Sequence, residues 1–401
     1  MSRNTHATGR GTGSRQTHVP SQPGHFPVQA KQKFVDPHFP FQPLPTPNAA
    51  APYRYDLSRF LSAEDIGHIK TAGSMVFHTV GDTGDFRGRV QDFVAEMMTD
   101  DANAQADNKK PAFFYHLGDV VYFAGDIDMY GDNFYETYKD YPGFIVSIPG
   151  NHDCQPDDPQ DGPVDPDKVP LDGWVKNFMS KDPHQLGSLK TSSARTQMDL
   201  PNVYWTFTTP FATIIGLFSN VGEIEGAFDD KQIAWFKSEL KAADPNLALV
   251  VAVHHPPYSG DTEHSGSTIV HKVLFDSFEA VGRYPHLVLS GHVHNYQRFT
   301  VTVQGGDGPV TVPCIVAGAG GYTKLGKLHK IDGAFPEAPL TLDDGLTLEQ
   351  YDQDNFGFLR IEVGAKTITG TYFSAPYNVG GPPQVTQVDQ FHIDLASHAV
   401  G

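Results

Sequence analysis

Residues 112–122 read AFFYHLGDVVY. An apolar, aromatic run stops at a glycine and an aspartate, and a tyrosine follows three positions after the aspartate. The run is strand length and rich in β-formers, so it reads as a buried strand. The same construction recurs. MVFHTV (75–80) ends in GDTG (81–84), GFIVSIP (143–149) in GNHD (150–153), LALVVAV (247–253) in His254 and His255, and LVLS (287–290) in GHVH (291–294). VQDFVAEMM (90–98) places Val90, Phe93, Val94 and Met97 at helical spacing, and DNFYETYKDY (132–141) reads as a second helix.

Strand–helix–strand alternation implies a parallel sheet, in which polar residues at the carboxyl ends of strands face a common crevice. The second half adds VYWTFTT, FATIIGLFS, a helix over about 229–243 with Ile233, Phe236 and Leu240 toward the core, and a helix over 268–281. The strands CIVAG, GFLRIEV and TITGTYF follow. These are more strands than one parallel sheet uses. The expectation is an α/β fold of two mixed β-sheets packed as a sandwich, with helices on both outer faces.

Residues 1–52 form a separate region. Nine prolines fall between Pro20 and Pro52, and proline at that density blocks helices and sheet ladders alike. The segment reads as an extended or disordered arm on a catalytic domain spanning 53–401. Within that domain, residues 154–200 open with the acidic, proline-rich CQPDDPQDGPVDPDKVP. They read as an insertion near the site, with a short helix at WVKNFMS.

The formal charge is −18, and the first 50 residues hold five Lys/Arg against one acid. An acidic body argues against a nucleic-acid surface, which needs basic patches to replace counterions. No apolar run approaches the ~20 residues of a membrane span. The N-terminus shows no apolar stretch of signal-peptide type, which favours a cytoplasmic reading. Two cysteines, Cys154 and Cys314, are no disulfide framework, and free thiols are expected.

The strand ends collect Asp82, Asp119, Asn151, His152, His254, His292 and His294. Oxygen and imidazole donors together suit Mn, Fe or Zn. The set is too large for one ion but fits two sharing a carboxylate. Burying Asn, His and Asp at one strand end costs free energy unless they are paired or ligated. His78 and His116 lie inside apolar strands and read as satisfied core residues or as supports behind the site residues.

In order and type these motifs resemble those of the calcineurin-like metallophosphoesterases: D-x-[HG], GD, GNH[DE], a strand-end His, and GHxH. The resemblance covers about residues 74–375. Where many members carry a ligand histidine in D-x-H, this chain has Gly84. After GD it has VVYFAG, not the VDRG of the protein Ser/Thr phosphatases. GDTG with GDVVY looks like the purple acid phosphatases, in which a tyrosinate replaces that histidine. EH at 263–264 before SGST, NYQR after GHVH, and AGAGG at 317–321 resemble the single-domain, tartrate-resistant branch.

The resemblance implies two metal ions. Fe(III) would bind Asp82, Asp119, Tyr122 and His294. A divalent Fe, Zn or Mn would bind Asp119, Asn151, His254 and His292. It implies acid phosphatase activity on small phosphomonoesters by in-line attack of a metal-bound hydroxide. His152 would serve as the leading proton donor and His264 as a second phosphate-side histidine, although His264 stands one residue further from His254 than in that branch. His255 would support its neighbour. The alternatives are a phosphodiesterase or nucleotidase on the same scaffold, and a catalytically silent metal-binding protein. The family resemblance favours a secreted or periplasmic location, against the cytoplasmic reading of the N-terminus.

Overall fold

The computed structural model describes residues 28, 44–84, 89–155, 168–184, 192–219, 226–306, 308–342, 345–378 and 381–401. The chain runs β1 (Arg54–Asp56), α1 (Ala63–Ala72), β2 (Ser74–Val80), α2 (Val90–Ala104), β3 (Pro111–His116), β4 (Phe144–Ser147), α3 (Asn151–Cys154) and α4 (Asp172–Phe178). It continues with β5 (Trp205–Thr208), β6 (Ala212–Leu217), α5 (Asp230–Ala242), β7 (Ala248–Val253), α6 (Thr268–Val281), β8 (Leu287–Ser290), β9 (Tyr296–Gly305) and β10 (Gly308–Ala317). Strands β11 (Leu340–Thr341), β12 (Leu346–Asp352), β13 (Phe356–Gly364), β14 (Thr367–Ala375) and β15 (Thr386–Asp394) complete it.

Two mixed sheets result. One has the order β15-β14-β13-β2-β3-β4, the other β1-β5-β6-β7-β8-β10-β9-β12-β11. β2, β3 and β4 are parallel neighbours in the first. β6, β7, β8 and β10 are parallel in the second. Alternation along β3 explains the layering. Phe113 and Tyr115 point across to the other sheet, where they meet Phe207 and Trp205 at ring distances of 4.9 and 5.8 Å. Phe114 points outward, to Tyr138 and Tyr141. At the other end, Tyr296 of β9 stacks on Tyr372 of β14 at 3.9 Å, and such pairs add about 0.5–1.5 kcal/mol to area burial. Helices α1 and α2 lie against β2 and β13, and α5 and α6 pack together beside β6.

Several sequence readings change. DNFYETYKDY is helical only over Gly131–Glu136, as a π-type turn, before ordinary turns take over. In α5, Ile233 is only half-buried, while Gln232, Trp235 and Glu239 join Phe236 and Leu240 in the interior. The polar two are satisfied there. Gln232 bonds both backbone groups of Phe218, and Glu239 takes Arg54 and Thr206. Hydrophobic periodicity cannot see a buried polar group with its partners in place. Strands β1, β9, β12 and β15 and helix α1 escaped the sequence reading, while the expected strand CIVAG forms the end of β10.

Most of the 1–52 arm lies outside the described residues. Its described end is docked: Asn48 donates to Leu200 O, and Pro52 O accepts from Trp235 Nε1. Of the 154–200 segment, 156–167 and 185–191 lie outside the described residues. The expected helix is α4, whose Trp174 indole reaches Ser147 Oγ, and Arg195 bonds the carbonyls of Tyr138 and Gly143. Cys154 and Cys314 are free thiols, as expected. Among the described residues no helix is long and apolar enough to cross a membrane.

Candidate metal centre

The parallel strands of both sheets end at the same edge of the sandwich, and the backbone stitches them there. Gly81 N–H donates to Ala317 O, Asp82 N–H to Gly118 O, and Gly291 N–H to His254 O. Asp82, Asp119 and His292 hold φ of 60°, 53° and 67°. This left-handed region costs a non-glycine residue about 1–3 kcal/mol and is tolerated where function needs the side chain aimed.

Each carboxylate has one oxygen fixed and one offered. His292 N–H donates to Asp82 Oδ2 and His152 N–H to Asp119 Oδ1, both at 2.8 Å. The remaining oxygens, Asp82 Oδ1 and Asp119 Oδ2, each lie 3.0 Å from the Tyr122 hydroxyl. His294 Nε2 is 3.2 Å from the same hydroxyl. All four side chains are buried. A phenol has one proton to give, so it cannot satisfy two carboxylates and an imidazole together. That surplus of acceptors is what a cation resolves.

A second cluster adjoins the first through Asp119. His254 Nε2 is 3.3 Å from Asp119 Oδ2 and 3.1 Å from Asn151 Oδ1. His292 Nδ1 is 2.9 Å from the same amide oxygen. His254 Nδ1 faces Leu117 O at 2.8 Å. A carbonyl only accepts, so Nδ1 carries the hydrogen and Nε2 is left to bind, the usual support of a metal-binding imidazole. Ligand atoms of Asp119, His254 and His292 lie within 4.8 Å of one another.

Electrostatics tell the same story without a metal. Burial, then Asp119 and Asp82, push the Tyr122 phenol well above its usual value. Burial would lower His254, but Asp119 more than reverses it, to about 9. Burial would raise Asp119, but His254 and His152 hold it well below the carboxylate range. Three protonatable groups thus share protons that cations would displace.

All seven candidate ligands are therefore brought together, and both candidate catalytic histidines adjoin them. The His152 ring lies 4.4 Å from that of Tyr122, with Nδ1 2.8 Å from Phe123 O. The His264 ring is 4.8 and 5.5 Å from those of His292 and His294. Burial pushes His264 down to about 3, aided by His294 and His152. His255 packs against His292 at 4.3 Å, with Nδ1 2.9 Å from Ser219 Oγ. His116 is a satisfied core residue, bonded to Thr83 Oγ1 and the Gly118 amide; His78 is likewise bonded, to Asp101 and Tyr141.

Gly84 closes off the alternative ligand. A Cβ there would sit 2.2 Å from Val120 O, so no histidine side chain could project from this backbone. Sequence reasoning missed Tyr322, whose ring lies 4.3 Å from His294 and 4.6 Å from Tyr122. Its one signal was its place directly after AGAGG.

Comparisons with known proteins follow this geometry. No curated protein sequence matches the chain significantly. Among solved structures, PhoD is similar with a TM-score of 0.51 at 12% identity, covering 89% of this chain and 73% of PhoD. GAP50, the anchor in the inner membrane complex of Plasmodium, gives 0.48 at 14% identity, covering 79% and 89%. A dimetal phosphatase from Danio rerio gives 0.45 at 11%, covering 78% and 98%. At such identities the likeness to PhoD concerns the fold alone. The calcineurin-like phosphoesterase model matches residues 75–296, from the strand that delivers Asp82 to the second residue beyond GHVH. That span is more than half the chain and contains the whole donor cluster, so the protein belongs to the calcineurin-like phosphoesterase family, hydrolases that act on phosphoesters.

Proposed function

We propose that the chain is a phosphomonoesterase of the purple acid phosphatase type. Asp82, Asp119, Tyr122 and His294 would hold Fe(III). Asp119, Asn151, His254 and His292 would hold a divalent Fe, Zn or Mn. The observation that carries this reading is the Tyr122 hydroxyl, set between two carboxylates and an imidazole, beside a glycine where no side chain fits.

A buried phenol among carboxylates loses its proton near neutral pH only to a strong cation. When bound, the cations supply charge neutralisation for the phosphate and an activated water. The chain's own residues do the rest. Asp119, fixed by the His152 amide, keeps the two clusters in register. His152 keeps Nδ1–H on Phe123 O, which leaves Nε2 as the nitrogen that passes a proton to the departing alkoxide. His264, largely neutral and beside His292 and His294, offers a hydrogen-bonding nitrogen to the phosphate.

The test is optical. Protein purified without metal supplements should be purple or pink, and Tyr122→Phe should bleach it while leaving the fold intact. Its iron should also be easier to reduce. A colourless wild type with two divalent ions would sink the purple subclass and leave the family assignment standing.

A further inference from the structure

The donor clusters are buried, and two half-buried rings stand beside them. Phe123 follows Tyr122 directly, and Tyr322 follows AGAGG. The Tyr322 ring rests on His294 at 4.3 Å and on Tyr122 at 4.6 Å, tilted by 37° and 45°. Phe123 meets Tyr322 edge-on at 5.9 Å and His152 at 6.1 Å. Aromatic side chains are normally buried in the core; here two are only half-buried beside the candidate ligands.

Their placement is built in. A Cβ at Gly320 would lie 2.1 Å from Gly81 O, so only glycine lets this loop close onto the GDTG turn. Tyr322 N–H then donates to Asp82 O. Beyond it, Lys324 pairs with Glu263, and Thr262 N–H donates to Lys327 O. The Tyr322 loop is thereby tied to the loop that carries His264. The loop that carries the ring is held on the Asp82 side and on the His264 side.

We propose that Tyr322, with Phe123 at its edge, is a specificity-determining shelf for a planar ring carried directly on the ester oxygen, which makes the chain selective for aryl phosphates. The inference rests on the phosphomonoesterase reading above. With the phosphate on the donor cluster, a ring one bond from the ester oxygen stays beside Tyr122 and His294, where the shelf begins. The base of a nucleoside 5′-phosphate is carried past it by the sugar. Stacking on a preset ring favours flat groups over saturated ones of equal size, by about three- to tenfold in affinity.

Benzylphosphonate and (cyclohexylmethyl)phosphonate, in which a methylene stands for the ester oxygen, match in size and differ in flatness. Calorimetry on the metal-loaded protein should show the benzyl compound bound about three- to tenfold more tightly. Tyr322→Leu should bring the ratio close to one, and Tyr322→Phe should keep it. Phe123→Leu, expected to lower the ratio partly, serves if Tyr322→Leu does not fold. In turnover, the kcat/KM ratio of phenyl phosphate to hexafluoroisopropyl phosphate, an alkyl ester with a comparably acidic alcohol, should fall in the same variants through KM. Equal phosphonate affinities in the wild type, or a ratio unmoved by Tyr322→Leu, would overturn the shelf. Selective phosphonate binding with no hydrolysis of any monoester would instead sink the phosphomonoesterase reading and leave the shelf in place.

Discussion

Asp119 divides two donor sets with different chemistry. On one side stand a carboxylate and a phenol, Asp82 and Tyr122, with one imidazole, His294. On the other stand an amide, Asn151, and two imidazoles, His254 and His292, none of which would bind as an anion. The first set comes mainly from turns after β2 and β3, the second from turns after β4, β7 and β8. Two acidic donors suit a small, highly charged cation, and neutral donors suit a divalent one. The difference teaches that one edge of a two-sheet sandwich can offer two unlike sets of cation donors, because each strand end contributes its own residue type.

The comparison can be broken at its hinge. Asp119→Asn removes the shared anion, so metal analysis should find both ions lost and turnover down by at least about a thousandfold. Loss of a single ion would mean that the clusters do not share this carboxylate. His292→Ala should empty only the neutral-donor side. Inductively coupled plasma analysis should find about one ion lost per chain, with any visible colour retained. Equal loss of both ions would erase the distinction.

His152→Ala removes no candidate ligand and keeps the backbone N–H that fixes Asp119. Turnover of alkyl esters should fall by about 10²-fold with both ions bound, and the loss should shrink for good leaving groups, as expected of a proton donor. A uniform loss would assign His152 to phosphate binding instead.

The smallest effect is in protons. In the metal-free protein His254 titrates at about 9 and Tyr122 well above its usual value, so both are protonated at neutral pH. Cations held by the proposed ligand sets need both deprotonated. Loading should release a proton from each side, and apparent affinity should rise with pH up to about 9 on the His254 side and beyond it on the Tyr122 side. Calorimetry in buffers of different ionisation heat counts these protons. In Tyr122→Phe the count should drop by one.

Much of the centre was legible because strand ends are local. A buried run followed by GD, GNHD or GHVH declares both where a strand stops and which donor it delivers. What stayed hidden depends on contacts made far along the chain. Tyr322 is an ordinary tyrosine until Gly320 lets its loop reach Gly81. Glu239 looks like a solvated helix residue until Arg54 and Thr206, more than 30 residues away, meet it inside. Ile233 obeys the helical period and still sits at the margin. The π-type turn at Gly131–Glu136 shows the same limit, since its composition is that of an ordinary helix.

The cross-sheet stitching at the site has a kinetic meaning. Asp82 and His294 stand at opposite ends of the core sequence, and Tyr122 Oη touches both. Contacts of such sequence separation form late, after the loops between them have closed. The donor clusters take Asp82, Asp119, Tyr122 and Asn151 from turns of one sheet and His254, His292 and His294 from turns of the other, so they are complete only when the two sheets have docked. Cations that bind there act as a latch on finished molecules, so chelation should lower the melting temperature and loading should raise it in proportion to the logarithm of free ion concentration.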